Sequence, residues 1–281
     1  MSATQPPLEQ LLHDLMRQAQ SGLHDPVEKA LIAQRWPFEI DGKVAGTLTE
    51  DTARFLEREI QGLVLDDDCL MLSPVCSTDS VPVLEQIALA LRASGRLPRW
   101  RDELLAVVAD DGTPLGVIER ATMRPLGLRM AATHLVGLRT DGRYWLQQRA
   151  FDKDTDPGLW DTLAGGLVGT EVINGLRKRE NLKLATQREA WEEAGVASSL
   201  LLAMRTLATS RINRMVSEGH MVQDNFAFLA ELPGDYVPHN HDGEVEKFDH
   251  FSRAQVIDMI VQRQLALEPA IIMLQWFLQE A

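Results

Sequence analysis

Cysteine is nearly absent from this sequence, which holds only Cys69 and Cys76 among its 281 residues. Their spacing matches no metal-binding or redox motif, and two thiols in so long a chain are typical of a reducing compartment. The opening residues, MSATQPPLEQ, also lack the basic segment and apolar run of a secretory signal. We therefore expect a cytoplasmic protein whose cysteines are buried or incidental.

Basic residues are also scarce, with 28 Lys and Arg against 41 Asp and Glu and a net charge of −13. Nucleic acids and anionic membranes are bound by Lys and Arg that neutralise phosphates, so this balance argues against both partners. A small phosphate-containing ligand stays possible, because a bound metal ion reverses the local charge. The apolar stretch 270–278 contains Gln275 and is too short to span a membrane.

An apolar content of 45% and a charged content of 25% are typical of globular proteins, and the length suffices for two domains. The turn-rich segment Arg124-Pro125-Leu126-Gly127 is the predicted boundary between them. Before it, the pattern predicts hairpins that turn at 41–42 and 110–112, and helices over 8–34 (interrupted near Gly22 and Pro26), from Thr49 to about Ile60 and from Ser80 to Gly95.

Beyond this boundary, the pattern predicts strands over 133–138 and 144–149, then a polar loop over 152–158 and the glycine pair Gly165-Gly166. The rest of the chain predicts a long hairpin over 203–232, a strand over 248–251, and two helices that start at Ser252 and at Glu268-Pro269. Periodicity alone therefore indicates a mixed α/β protein.

The most informative stretch begins at Arg188 and places glutamates at 189, 192 and 193. Side chains three and four residues apart share one helix face, so Glu189, Glu192 and Glu193 would crowd together and repel one another. A divalent cation removes this conflict, because Mg²⁺ prefers oxygen ligands and commonly bridges carboxylates to substrate phosphates. The alternative is a solvated acidic face with an i,i+4 pair between Arg188 and Glu192.

Other positions in this stretch predict how the helix packs and where it ends. Leu184, Trp191 and Ala194 follow helical spacing on the opposite face, and we expect them to face a core. Gly195 is expected to end the helix, because glycine readily adopts the left-handed conformation of a C-terminal cap.

The pattern Arg-Glu-x-x-Glu-Glu-x-Gly resembles the second half of the Nudix box, G-x5-E-x7-R-E-U-x-E-E-x-G-U, where U is a bulky apolar residue. Glu180 stands eight residues before Arg188, so the spacing between the box glutamate and the arginine also holds. Ala190 departs from the pattern, since it is small for its U position. The residues thus identify the chain as similar to the Nudix family.

The loop half of the box departs further. Asn174 stands where the box glycine is expected, and the natural glycine pair, Gly165-Gly166, lies further upstream. The loop therefore carries about eight extra residues, roughly 172–179. Either Glu180 keeps the role of the box glutamate at the end of a longer loop, or Glu171 replaces it.

The resemblance implies an α+β protein with a Nudix α/β/α sandwich over 126–281, preceded by a smaller α+β domain over 1–125 that helps to select the substrate. It implies a hydrolase that cleaves a diphosphate linkage with Mg²⁺ or Mn²⁺ as cofactor, since such ions neutralise phosphate oxygens and activate water. A small-molecule diphosphate is the expected partner, and a homodimer is left open.

The same resemblance implies roles for the residues of the box. The expected metal ligands are the carboxylates of Glu189, Glu192 and Glu193 and the backbone carbonyl of Gly165. Arg188 is expected to hold a carboxylate in place, and loss of such a contact typically costs about 10–100-fold in metal affinity or activity. Glu192 and Glu193 are also candidates for the catalytic general base.

Residues outside the box are further candidates. Glu244 and Glu246 are alternative general bases, although a solvated loop explains them equally well. Arg149 ends a strand before the glycine pair and is expected to contact the substrate together with Gly166, with a surface cation as the alternative. His134 lies on an apolar strand and is expected to be a core histidine.

Weaker features extend the resemblance into the first half of the chain. Residues 37–40 and 100–104, with 134–135 at the start of the second half, are similar to a two-domain Nudix subgroup related to thiamine pyrophosphokinase-linked proteins. That subgroup is associated with hydrolysis of thiamine diphosphate, and of its oxidised analogues, to the monophosphate. Val136 departs from the subgroup, where a polar residue is expected.

Three alternatives stay open. The same hydrolase reaction fits another substrate, such as a nucleoside diphosphate derivative or a nucleotide sugar. Isopentenyl-diphosphate isomerase shares the fold but needs a catalytic cysteine, and neither Cys69 nor Cys76 lies in the Nudix half. A non-catalytic ligand-binding module tends to lose box carboxylates, whereas this sequence keeps those of the helix.

Overall fold

The computed structural model describes residues 8–22, 25–72, 80–97, 99–153, 155–173 and 176–280. Two residues used in the sequence predictions, Cys76 and Asn174, lie outside these ranges. Cys69 is a partly buried free thiol on a strand. Within the described ranges, no helix combines the length and the apolar character needed to cross a membrane.

The first half of the chain contains small helices and short strands, which confirm the predicted helices and both predicted hairpins. Their bounds are α1 (Leu8–Gly22), α2 (Pro26–Ala33), β1 (Trp36–Ile40), β2 (Lys43–Leu48), α3 (Glu50–Glu59), β3 (Leu63–Asp66), β4 (Cys69–Leu72), α4 (Ser80–Ala93), β5 (Leu104–Val108) and β6 (Pro114–Glu119). The β3–β4 hairpin was not predicted. The first four strands form one sheet in the order β2-β1-β4-β3, and β5 pairs with β6 alone.

Local chemistry accounts for the element boundaries that the sequence predicted. The hydroxyl of Thr49 accepts a hydrogen bond from the backbone N–H of Thr52 and so starts α3. Asp41 and Gly42 adopt positive φ angles of 54° and 70°, which suit a two-residue hairpin turn. Pro26 is the first residue of α2, a position at which a backbone N–H has no partner within the helix, so proline loses no hydrogen bond there.

The second half is built around a larger sheet. Its elements are β7 (Arg129–Arg139), β8 (Tyr144–Arg149), β9 (Trp160–Asp161), β10 (Ala164–Leu167), β11 (Thr170–Ile173), β12 (Leu176–Arg179), α5 (Leu182–Ala194), β13 (Arg205–Val216), β14 (Gly219–Leu232), β15 (Val245–Phe251), α6 (Arg253–Val261) and α7 (Leu267–Gln279). The strand order is β13-β14-β7-β8-β15, with β10 paired to β7 and β9 to β8. The parallel pair in this sheet is β7 with β14.

Alternation along β7 shows how the helices cover this sheet. Neighbouring side chains of a strand point to opposite faces. Leu135 joins a smaller core with Ala190 of α5, whereas Val136 joins a larger core with Met273 of α7. The sheet therefore lies between α5 and α7, which confirms the predicted α+β class and sandwich architecture.

The larger core crosses the predicted boundary between the two halves. α1 packs against α7, and Leu12 belongs to the same buried cluster as Phe277. Leu126, in the boundary segment, is fully buried, and its carbonyl accepts a hydrogen bond of 2.9 Å from the backbone N–H of Thr47. The two halves thus share apolar packing, and independent folding of 1–125 stays a prediction.

The predicted core face of α5 is wrong at two of its three positions. Leu184 and Trp191 are half exposed, whereas Ala194 is buried as predicted. The helix instead turns small residues and Glu193 inward, because it lies against the glycine-containing strand β10, where little space is left for large side chains. Trp191 packs edge-to-face on His241, with 4.7 Å between the ring centroids.

Candidate active site

Polar contacts fix both ends of α5, the helix that carries the predicted carboxylates. The side chain of Asn181 accepts a hydrogen bond of 2.9 Å from the backbone N–H of Lys183 at the start of the helix. Gly195 ends the helix as predicted, with a left-handed φ of 68°. Between these ends, the helix turns Glu189 and Glu193 towards β10.

Glu193 is almost completely buried beside the glycine strand. Its Oε2 atom accepts hydrogen bonds from the backbone N–H of Gly165 and from the side-chain amide of Gln147, each at 2.8 Å. Lys153 Nζ lies 3.9 Å from the other carboxylate oxygen, Oε1. Burial, followed by the charge of Glu189, raises the pKa of Glu193 to about 8.

Glu189 lies against Gly166. A Cβ atom at position 166 would fall well inside van der Waals contact with the Glu189 carboxyl group, so the close approach requires glycine. Burial raises the pKa of Glu189 to about 7, although the charge and hydrogen bond of Arg188 oppose this effect. Both carboxyl groups therefore resist ionisation, and a further cation beside them would favour their charged forms.

Arg188 connects the acidic side chains on this surface. Its Nη1 atom donates to Glu189 Oε1 at 2.7 Å and to Glu192 Oε2 at 3.2 Å. Its Nη2 atom donates to Glu180 Oε2 at 3.1 Å and to the carbonyl of Leu167 at 3.2 Å. A planar guanidinium with several fixed donors can hold these carboxylates in one arrangement, as expected for a positioning role.

The extra residues of the box loop form the β11–β12 hairpin. Glu180 follows this hairpin and reaches Arg188. Glu171 lies on β11, and its Oε1 atom accepts a hydrogen bond of 3.2 Å from the backbone N–H of Asn181. Glu180 and Glu171 are the two candidates for the box glutamate, and of these Glu180 contacts Arg188 together with Glu189 and Glu192.

The segment before β15 contributes two more acidic side chains. Glu193, Asp242 and Glu244 each offer a carboxylate oxygen, and these oxygens lie within 4.8 Å of one another. Burial opposes ionisation of Glu244, but the hydrogen bond and charge of Lys153 hold its pKa below the usual value. Glu246 is exposed and is not among the residues that line the neighbouring cleft.

This set of groups fits a hard divalent cation. Mg²⁺ and Mn²⁺ prefer carboxylate and carbonyl oxygens, and the crowded oxygens supply such ligands from α5 and from the loop before β15. A cation would also favour the ionised forms of Glu189 and Glu193, whose burial otherwise disfavours them. The predicted role of the Gly165 carbonyl stays a prediction.

A cleft of about 530 Å³ opens beside α5, within the usual size range of small-molecule sites. The second half lines it with predicted site residues, namely Arg149, Gly165, Gly166, Arg188, Glu189, Glu192 and Glu244. The first half lines it with Arg99, Arg101, Glu103, Arg120 and Arg124. We call these four arginines the arginine wall.

The sequence did not predict the arginine wall as part of the site. Arg120 Nη1 donates to Glu103 Oε2 at 2.7 Å, and its charge also lowers the pKa of Glu244, which lines the same cleft. Arg124 Nη1 donates to Thr155 Oγ1 at 3.1 Å. The turn-rich segment drew attention to Arg124 only as a boundary, and no pattern connected the other arginines to the acidic helix.

Arg149 lines the cleft, but protein groups already engage several of its donors. Its Nη1 atom donates to Asp161 Oδ2 at 2.9 Å, and its Nε and Nη2 atoms donate to the carbonyl of Thr155 at 3.2 and 3.0 Å. These contacts hold the loop before β9, and a substrate contact of Arg149 stays a prediction. His134 is buried as predicted, and it also lines the cleft.

Comparison with known sequences agrees with this geometry. The family model of the NUDIX domain matches residues 128–277. Nudix hydrolase 24, chloroplastic, of Arabidopsis thaliana is 35% identical over 173 residues, which cover 59% of this chain and 44% of that protein. Nudix hydrolase 20, chloroplastic, of the same organism is 31% identical over 189 residues, covering 65% and 48%. The matched region thus spans less than half the length of these relatives.

Solved structures include similar chains. The crystal structure of DR0079 from Deinococcus radiodurans superimposes with a TM-score of 0.42 and 20% sequence identity, covering 58% of this chain and 92% of that one.

Proposed function

Because this chain belongs to the Nudix family, we propose that it is a metal-dependent hydrolase of small-molecule diphosphates. One observation carries the proposal: carboxylates of a single helix meet the glycine pair at a cleft that basic residues also line. Such a cleft offers oxygen ligands for divalent cations and N–H donors for phosphate oxygens. Both are needed to cleave a diphosphate, because negative charge must be neutralised as the P–O bond breaks.

Bound Mg²⁺ or Mn²⁺ would supply Lewis-acid polarisation of the phosphate and a more acidic water molecule. Arg188 holds Glu189 and Glu192 in place beside Gly166. Glu244 lines the cleft with its carboxylate next to Lys153, and in this proposal it takes the proton of the attacking water. We therefore prefer Glu244 to Glu246 as the general base, with Glu192 and Glu193 acting as metal ligands.

The first half of the chain takes part in substrate selection in this proposal. The arginine wall lies on the same cleft as the acidic helix, and the charge of Arg120 lowers the pKa of Glu244. Guanidinium groups bind phosphate oxygens through paired N–H donors. Residues 1–125 would therefore orient the phosphates of the substrate against the metal-binding side of the cleft.

The proposed substrate is thiamine diphosphate or an oxidised analogue, which water cleaves to the monophosphate and inorganic phosphate. The resemblance of residues 37–40 and 100–104 to the thiamine-linked subgroup supports this choice. A protein with a net charge of −13 disfavours long polyanions, whereas a compact substrate with a cationic ring offsets its own phosphate charge.

Steady-state kinetics with Mg²⁺, and with the metal removed by chelation, test the proposal. The substrates compared are thiamine diphosphate, an oxidised analogue, ADP-ribose and a nucleoside triphosphate. A thiamine-type diphosphate should give the highest kcat/KM. If ADP-ribose or the triphosphate does so, the substrate is wrong and the hydrolase assignment stands.

Substitution of a box glutamate tests the site itself. Glu192→Gln should lower kcat by at least about 10²-fold, since metal binding and charge neutralisation carry this chemistry. Glu231→Gln removes an equivalent charge from an exposed position on β14 and should leave kcat unchanged. Metal-independent hydrolysis, or full activity of Glu192→Gln, would contradict the proposed function.

A further inference from the structure

One end of the cleft differs in chemistry from the metal-binding side. Met130, Met221, Ala266, Glu268 and Pro269 line it, and we call this set the methionine end. Glu268 is the charged residue of the set, and its side chain is only 9% exposed. A carboxylate so deeply buried among apolar groups requires partners, because burial of an unpaired charge is costly.

A row of side chains on β7 connects the methionine end to the glycine strand. Met130, Ala132 and His134 alternate along the strand and therefore share one face, and all three line the cleft. Thr133, beside His134, pairs with Gly166 of β10. Thr133 stands three positions after Met130 on the strand, so the two ends of the cleft lie about 10 Å apart.

Glu268 shares its guanidinium partner with a second carboxylate. Arg214 Nη2 lies 3.3 Å from Asp156 Oδ2 and 3.4 Å from Glu268 Oε1, so one guanidinium serves two carboxylates. Asp161 is neutralised separately by Arg149, at 2.9 Å. His134 Nδ1 also lies 3.8 Å from Asp161 Oδ1, so the weakly partnered carboxylate at this end is Glu268, which shares Arg214 with Asp156.

Resting on the proposed hydrolase function, we propose that Glu268 determines specificity by accepting hydrogen bonds from a cationic or amino-bearing heteroaromatic ring joined to the diphosphate. Such a ring would give Glu268 a donor of its own, since the carboxylate shares Arg214 with Asp156. The thioethers of Met130 and Met221 are polarisable and pack well against flat rings. An aliphatic diphosphate would instead cover the carboxylate without donating to it, which leaves the shared contact with Arg214 as its partner.

Burial also raises the pKa of Glu268, which shows how poorly this site solvates the carboxylate. A ligand that donates N–H groups or carries positive charge would remove that penalty. The separation of about 10 Å between the ends of the cleft leaves room for a ring at the methionine end while the diphosphate lies at Gly166.

The test compares three diphosphates in steady-state kinetics with Mg²⁺. Thiamine diphosphate carries a cationic ring and an amino group, ADP carries an amino group without a permanent cation, and isopentenyl diphosphate carries neither. Glu268→Gln should lower kcat/KM for thiamine diphosphate about 10- to 100-fold, the value of a charged hydrogen bond, and leave isopentenyl diphosphate unchanged. If kcat/KM of Glu268→Gln falls for ADP as well, Glu268 recognises the amino group. If it falls for thiamine diphosphate alone, Glu268 recognises the cation.

Two control variants separate recognition from structural damage. Glu268→Asp keeps the charge and should retain part of the preference for ring-bearing substrates. Asp152→Asn removes a carboxylate from an exposed position on the rim of the same cleft and should not change the preference. Equal losses on all three diphosphates, or a wild-type preference for isopentenyl diphosphate, would overturn the assignment of Glu268.

Binding of unphosphorylated thiamine, measured by calorimetry, keeps this inference distinct from the proposed function. If the wild-type protein hydrolyses no diphosphate, the proposed function fails. Binding of thiamine alone still tests whether Glu268 recognises a cationic or amino-bearing ring. Weaker thiamine binding to Glu268→Gln than to the wild type and Asp152→Asn would support the site. Equal binding to all three proteins, or none to the wild type, would refute it.

Discussion

Gly166 lies directly against the carboxyl group of Glu189, with no space between them for a Cβ atom. The box helix α5 and the strand β10 approach this closely only because position 166 carries no side chain. The glycine therefore fixes where a predicted metal ligand can stand, even though it contributes no ligand atom of its own side chain.

The substitution Gly166→Ala should displace Glu189 and lower metal affinity and kcat by about 10–100-fold, as loss of ligand positioning typically does. The measurement is a Mg²⁺ titration of diphosphate hydrolysis. Gly169→Ala is the matched control, because a Cβ atom there would meet Glu180 Oε2 at 3.6 Å, an ordinary contact. Wild-type Mg²⁺ dependence in Gly166→Ala would remove Glu189 from the metal site.

Divalent cations should stabilise the folded protein. Glu193 is buried and Glu189 is partly buried, and the nearby Arg188 and Lys153 do not cancel the rise in their pKa values, so Mg²⁺ should bind the folded state in preference to the unfolded chain. At a concentration one hundred times its Kd, the free energy of unfolding should rise by about 2.7 kcal/mol. Thermal unfolding with and without Mg²⁺ measures this gain. The same gain in Glu193→Gln would show that the ion binds elsewhere.

Glu244 and Glu246 give a direct test of the general base. Glu244 lines the cleft beside Lys153, whereas Glu246 points into solvent on β15. Glu244→Gln should lower kcat by about 10²–10⁴-fold, the usual contribution of a general base, and Glu246→Gln should leave it unchanged. The reverse result in single-turnover kinetics would exchange their roles.

The arginine wall should affect substrate affinity. Arg120→Gln removes a guanidinium that faces the cleft, so KM for diphosphates should rise about tenfold, as expected for one charged hydrogen bond. Arg54→Gln is the control, because Arg54 forms a comparable ion pair with Glu50 on α3, away from the cleft. An unchanged KM in Arg120→Gln would separate the first half of the chain from phosphate binding.

His220 joins the two halves of the chain and should make stability depend on pH. Its Nδ1 and Nε2 atoms lie 2.8 Å from Thr47 Oγ1 and 2.6 Å from Asn213 Oδ1. Burial, followed by the charge of Arg35, lowers the pKa of His220 from 6.5 to about 4. Between these values the unfolded chain binds more protons, so the free energy of unfolding should fall as the pH drops from 6.5 towards 4.

Denaturant unfolding at about pH 7 and about pH 5 measures this fall, which should be smaller in His220→Gln than in the wild type. Glu189 and Glu193 change the free energy of unfolding in the opposite direction, because their raised pKa values destabilise the folded state as the pH rises. This change is the same in the wild type and in His220→Gln. His13→Gln, at an exposed position on α1, is the control. Identical pH dependence in the wild type and His220→Gln would be inconsistent with this role.

The chemistry of α5 could be predicted from spacing because helical geometry depends on local sequence. The face formed by Glu189 and Glu193 and the end at Gly195 follow from positions within a few residues. The packing of Trp191 could not be predicted in this way. It depends on how closely the glycine strand approaches the helix, which is a property of two distant segments.

The loop glutamate and the arginine wall show the same limit. Residues 172–179 were predicted as an insertion, but only their pairing in a hairpin places Glu180 beside Arg188. Strands β7 to β12 lie between Arg120 and Arg188 in the sequence. The two arginines line one cleft only because of the fold of both halves. Charge composition gave no sign of it, because an acidic chain conceals a local group of arginines.

The contact between the first helix, α1, and the last, α7, has a consequence for how the chain assembles on the ribosome. β7 is also paired in parallel with β14, which follows it only after the box helix and the whole of β13. Contacts between segments so far apart in the sequence form late, and they make folding slower because long loops must close first. A growing chain that already carries α1, β7 and α5 would still expose apolar surface until α7 emerges, and exposed apolar surface favours aggregation during that interval.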